Sequence, residues 1–261
     1  MTDDERFELI VTELGRLMIA LGDLAFHVVL IGGQVPALIG RQRHGSALIS
    51  IQTDTGITID RAYSFEPDLL IDAKSIDFQG ERLPVILRQC GFERTKSARW
   101  AKSLGTFTME LDLFRPKEHS DVYDPTPLTE LPDGDLVLGL RETLEVQTPD
   151  ISFQISIPKP LAFLAMKLKA KQQLRPHDRK DSFDIYAYAQ MIGIDELEEA
   201  LTREKELGDR IREGLDDLFG DIHAVGVQDV LHFSNVWDPE ERALLAQAVV
   251  DCFRPLVDAS I

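Results

Sequence analysis

Cysteine is nearly absent. Cys90 and Cys252 are the only two in 261 residues, far apart and without metal-ligand spacing, so neither a disulfide framework nor a zinc site is implied. Positive charge is scarce as well: 28 Lys and Arg stand against 45 Asp and Glu, a formal net charge of -17. That balance opposes loose binding to a nucleic-acid backbone, which needs a field of cations. A local basic cleft, or a basic protein partner, stays compatible with it. No apolar run reaches membrane-spanning length, and the opening MTDDERFELI has neither a basic n-region nor an apolar h-region. A soluble, cytoplasmic protein with no membrane partner is expected. Internal repeats and low-complexity tracts are also lacking.

What is present is an ordinary globular balance, 44% hydrophobic and 28% charged, in a chain long enough for one large domain or two modest ones. Phe7, Ile10, Val11, Leu14, Leu17, Met18, Leu21 and Leu24 recur at helical spacing and predict a first helix over about residues 4–24. His27 to Ile31 reads as a buried strand. Gly32 and Gly33 end it, and Gln34 to Arg41 restarts as a helix with Pro36 in its first turn. Such a turn is either a tight connection or an anion site, because first-turn N–H groups lack helical partners. Residues 46–63 alternate as a hairpin around Asp54-Thr55-Gly56. Beyond Pro158 the chain turns helical. The expected fold is α/β, a twisted mixed sheet flanked by helices over residues 1–157, with a helical part over 158–261 that contributes to a cleft.

The chemistry-bearing stretch is SFEPDLLID, residues 64–72, together with MELDLF, residues 109–114. Read as strands, they place Glu66 and Asp68, and Glu110 and Asp112, at i and i+2 on one face each. Carboxylates gathered that way are either solvent-facing or the oxygen ligands of a hard dication such as magnesium. Pro67 has no N–H to donate and predicts an edge strand or a bulge. Arg99 and Trp100 read as core or pocket wall. Lys167 lies on the helix PLAFLAMKLKAK, where it is either a phosphate ligand or part of a solvated face. Asp181 and Asp184 share a face of the next helix and need partners such as Arg175 or Lys167 if buried. His177 reads as a loop residue.

Taken in order, Gly32-Gly33, Ser64-x-Glu66-x-Asp68, Asp112, Lys167 and Lys180-Asp181-x-x-Asp184 resemble the nucleotidyltransferase superfamily of the DNA polymerase β type. Within it, LAFLAMKLKAKQQLRPHDRKDSFDIYAY is similar to the AbiEii-type toxins of type IV toxin-antitoxin systems. The resemblance spans about residues 27–190. It implies a nucleotidyltransferase-type sheet, two magnesium ions on Glu66, Asp68 and Asp112, and support of the acidic strand by Ser64. It further implies Gly32, Gly33 and Lys167 against the phosphates of a nucleoside triphosphate, with Asp184, and Asp181 beside it, facing the site. A cognate antitoxin is the partner the toxin branch implies.

Three features depart from that pattern. Thirty-three positions separate Gly33 from Glu66, the first acid is Glu, and Pro67 stands between the two acids. Two functions follow. One is transfer of a nucleoside monophosphate to an RNA, protein or small-molecule acceptor, the last two fitting the negative charge better. The other is a degenerate site on the same fold, binding a nucleotide or a protein without turnover.

Overall fold

Thr2 opens the first helix with a capping box: its hydroxyl accepts from the Glu5 N–H, and the Glu5 carboxylate accepts from the Thr2 N–H. This helix, α1, runs Asp3–Leu21 and stops where Gly22 adopts φ 57°, a left-handed conformation that glycine takes at little cost. The apolar periodicity continues to Leu24, but Gly22–His27 form a 3₁₀ turn. A computed structural model describes residues 1–45, 49–52, 56, 58–61, 65–74, 82–119, 127–234 and 236–258. After α1 come β1 (Val28–Ile31), α2 (Gln34–His44), β2 (Ile49–Gln52), β3 (Thr58–Arg61), β4 (Asp68–Ile71), α3 (Arg82–Gln89), β5 (Glu93–Arg94), β6 (Arg99–Ser103) and β7 (Thr108–Pro116). They are followed by β8 (Thr129–Leu131), α4 (Gly134–Gly139), β9 (Arg141–Gln147), β10 (Ser152–Pro158) and six helices, α5 (Pro160–Lys169), α6 (Arg179–Ile192), α7 (Ile194–Arg203), α8 (Lys205–Phe219), α9 (Val225–His232) and α10 (Pro239–Asp258).

The chain divides into two units, Met1–Leu38 with Tyr63–Lys159 and Ile39–Ala62 with Pro160–Ile261. In the first, eight strands make a mixed sheet in the order β5-β6-β7-β4-β1-β10-β9, with β8 also on β7. β1 is buried along its whole length between β4 and β10, which is why it reads as an unbroken apolar run. α1 packs its stripe of Phe7, Ile10, Leu14 and Leu17 inward. It lies so close to β10 that a methyl group at Gly15 would collide with the Phe153 ring.

β4 differs from the expectation in two ways. It begins at Asp68, so Glu66 lies in a bend ahead of the strand. It also lies inside the sheet, antiparallel to β1 and parallel to β7, rather than at an edge. Pro67 is tolerated because it sits just outside the strand and enters the hydrogen bonding through its carbonyl, which accepts from the Asp112 N–H at 3.1 Å.

β2 and β3 pair antiparallel, as the alternation predicts, but form a two-stranded sheet of their own. They belong to the second unit; residues 53–55, at the expected turn, lie outside the described ones. Arg43 of α2 anchors this segment by donating from both terminal nitrogens to Glu196 of α7, at 2.9 and 3.1 Å. The remainder of the unit is helical. The helical stretch from Ile194 to Phe219 breaks at Glu204, whose backbone (φ -109°, ψ 67°) is not helical, into α7 and α8. Among the described residues, no helix is long and apolar enough to cross a membrane.

Two stability changes are expected. At Gly208 an added methyl would run into the backbone carbonyl of Leu201, which cannot rotate away. Gly208→Ala should therefore destabilise by about 1–3 kcal/mol despite the better helix propensity of alanine, read as a lowered urea midpoint. The Arg43 hydrogen bonds hold the Glu196 carboxyl below its ordinary range. A depressed carboxylate contributes stability above its unfolded pKa and loses it as pH falls through the folded value. Glu196→Gln should then cost no more than about 1 kcal/mol at neutral pH, since the pair is half exposed. That difference from wild type should disappear in urea titrations run below the carboxylate range.

Candidate functional site

Two neighbouring strands of the first unit bring the sequence-predicted acids together. β4 and β7 run parallel with Asp68 and Asp112 as direct register partners. Along β7, Met109, Leu111 and Leu113 are fully buried while Glu110 and Asp112 are half exposed. The alternation thus puts both acids on the face away from those apolar side chains. Asp68 also reaches the turn after β1: Gly32 has φ 80°, and a Cβ there would strike the Asp68 carboxylate. A side chain at residue 32 would be both strained and in the acid's place. Gly33 follows and Gln34 opens α2. Ser64 lies outside the described residues.

Upstream of β4, the Arg6 guanidinium stacks over Phe65, with its carbon 3.9 Å from the ring centroid, and over Phe107 at 4.7 Å. This cation–π sandwich fixes the residue just before Glu66.

The acids have a counter-cation that the sequence reading did not assign. Arg99, on β6, is the register partner of Asp112 across the antiparallel β6/β7 pair. Its Nε donates to Asp112 Oδ1 at 2.7 Å and its Nη2 to Asp112 Oδ2 at 2.5 Å. Nη1 donates to Glu110 Oε2 at 2.5 Å, and Glu66 Oε2 stands 3.7 Å from Nη2. The hydrogen bonds to Asp112, and then the charges of Asp112, Glu110 and Glu66, hold the guanidinium even more firmly in its charged form than usual, against the opposing effect of burial. The available signal was the hairpin register: Leu104 to Phe107 close the turn, and counting back from it sets Arg99 opposite Asp112.

The donor chemistry fits a hard dication, being carboxylate oxygens on adjacent strands beside a glycine turn. In the described arrangement, however, the cation on Asp112 is Arg99, and no group of three or more Asp, Glu, His or Cys side chains set for a metal ion occurs among the described residues.

Lys167, Asp181 and Asp184 belong to the second unit, and the acids on β4 and β7 to the first. Lys167 Nζ donates to Asp181 Oδ1 at 2.9 Å and to Asp184 Oδ2 at 2.7 Å, all three side chains being nearly inaccessible. Arg175 adds a bond to Asp181 at 3.0 Å from the surface. One turn on, a π-helical segment, Ala170–Leu174, carries Lys171. Its ammonium meets Asp229 at 2.6 Å and the carbonyls of Pro176 and Asp178, while the Ser182 hydroxyl donates to the same Asp229. α5, α6 and α9 are thereby cross-linked by buried charge. The partners expected for Asp181 and Asp184 are present, and Lys167 is not part of a solvated face.

Compared with known proteins, the chain matches no family model, no curated protein and no solved structure at a significant level. Its chemistry has to be read from the site itself.

The second unit's network yields a direct test. Lys167→Met strips the buried ammonium from Asp181 and Asp184 and should cost about 3–5 kcal/mol, as removal of one partner of a buried pair does. Arg175→Met, at a side chain 55% exposed, should cost about 1 kcal/mol or less. Urea denaturation of both variants distinguishes a structural Lys167 from one held mainly for a ligand, whose loss would leave stability near wild type.

Proposed function

We propose that this protein is a magnesium-dependent nucleotidyltransferase of the cytoplasm, moving a nucleoside monophosphate from a nucleoside triphosphate onto a protein or small-molecule acceptor. The observation that carries the reading is the register pairing of Asp68 with Asp112 on parallel strands beside the Gly32-Gly33 turn. Glu66, Asp68 and Asp112 are the residues that would hold magnesium. The ion, when bound, neutralises phosphate charge and orients in-line attack at the α-phosphate. In the first turn of α2 the Val35 N–H is taken by the Gly32 carbonyl and Pro36 has no N–H, so the Gly33 backbone N–H is the group that would meet the remaining phosphates. Arg6, through Phe65, steadies the segment bearing Glu66. Lys167 and Asp184 hold the second unit together in this reading rather than meeting phosphate, because their charges are matched to each other. The net charge of -17 disfavours a broad RNA-binding face.

A second reading, the same fold holding a nucleotide or partner protein without turnover, is favoured by the pairing of both Asp112 oxygens with Arg99. One experiment separates the two. Purified protein and Asp68→Asn are incubated with magnesium and each nucleoside triphosphate labelled at the α-phosphate, alone and with cell extract. Label moved to an acceptor by wild type only is expected. Nucleotide binding without transfer would favour the second reading, and neither nucleotide binding nor transfer would contradict the first and leave of the second only the protein-binding form.

A further inference from the structure

We infer that Arg99 is the resident cation of the acidic face and sets its metal occupancy: a dication reaches Asp112 only by displacing the guanidinium. The site's purpose rests on the nucleotidyltransferase reading, but the claim about Arg99 stands on geometry alone.

Arg99 occupies both oxygens of Asp112 and one of Glu110, and lies 3.7 Å from Glu66. It therefore engages three of the acids around Asp68. Magnesium needs its oxygens at about 2.0–2.1 Å in near-octahedral order, whereas a guanidinium spreads the same oxygens along a planar fork at about 2.7–2.9 Å. Both cannot hold Asp112 in that manner at once.

The backbone cannot carry Arg99 away, because five consecutive register pairs from Arg99–Asp112 to Ser103–Thr108 bind β6 to β7. Release must come from side-chain rotation. That route is open, since the Arg99 side chain is 28% exposed and those of Glu66 and Glu110 are 57% and 37%. The ammonium of Lys167, by contrast, sits among side chains 2% exposed and has no comparable exit. Arg99 is thus an exchangeable counter-ion, and removing it should leave Asp112 and the neighbouring acids open to regroup around a divalent cation.

Manganese takes the same oxygen ligands, and its free concentration is read by electron paramagnetic resonance. It is titrated into full-length wild type, Arg99→Met and the double variant Arg99→Met/Asp112→Asn, each checked for native circular dichroism. Arg99→Met should bind manganese at least about tenfold more tightly than wild type, the effect of deleting one unit charge a few ångströms away. The double variant should lose the gain. Equal binding by wild type and Arg99→Met, whether tight or undetectable, would overturn the inference.

Should Arg99→Met fail to fold, the wild type still decides. Its Arg99 Nε–H resonance should move as magnesium is added, and a resonance unchanged through the whole titration would overturn the proposal. Failure of the transferase reading is distinguishable. Tighter manganese binding by Arg99→Met with no nucleotidyl transfer by wild type leaves Arg99's role intact. Asp68-dependent transfer without any gain in Arg99→Met refutes that role alone.

Discussion

Like charges gathered on one face must be neutralised, and both units of this protein are organised around that requirement. In the first, Glu66, Glu110 and Asp112 converge on Arg99 beside Asp68. In the second, Asp181, Asp184 and Asp229 take the ammonium groups of Lys167 and Lys171. The energetic weights differ with burial. Breaking a buried pair costs about 3–5 kcal/mol because a charge is left without water or partner, whereas around Arg99 the side chains keep contact with solvent, which can take up a released charge. The helical network is therefore fixed structure, and the strand-borne cluster is the one able to exchange its cation.

Sheet topology builds that exchangeable cluster. The parallel pairing of β4 with β7 puts Asp68 beside Asp112, and the antiparallel pairing of β6 with β7 puts Arg99 on the other side. Period-two alternation then sends Met109, Leu111 and Leu113 into the core and leaves Glu110 and Asp112 half in water. Gly32 completes the arrangement, since only a residue without a side chain leaves room for the Asp68 carboxylate at that turn. The register of one strand pair and the missing side chain at Gly32 thus together give that carboxylate its place.

Much of this was legible in the sequence. The apolar run at Val28–Ile31, the glycine turn, the acid-bearing strands and the helical C-terminal third all follow from periodicity and turn chemistry. So did the need of Asp181 and Asp184 for basic partners, because their i, i+3 spacing puts two acids on one helix face. The misreadings have a common cause, which is that local pattern does not specify which segments become neighbours. Pro67 argued for an edge, yet lies just ahead of an interior strand where no N–H is asked of it. β2 and β3, expected with the large sheet, pair with each other and belong to the second unit. Arg99 was read only as core or pocket wall, because its pairing depends on cross-strand register, which becomes visible only when the turn at Leu104–Phe107 is counted through.

If Arg99 is an exchangeable counter-ion, the face shared by Asp68 and Asp112 accepts either a guanidinium or a dication. The most direct test of this exchange is anomalous diffraction from crystals grown with manganese and a non-hydrolysable nucleoside triphosphate. Manganese density is expected at Asp68 and Asp112, with the Arg99 side chain withdrawn from Asp112. Crystals with nucleotide bound, Arg99 still bridging Asp112 and Glu110, and no manganese at that face would contradict it.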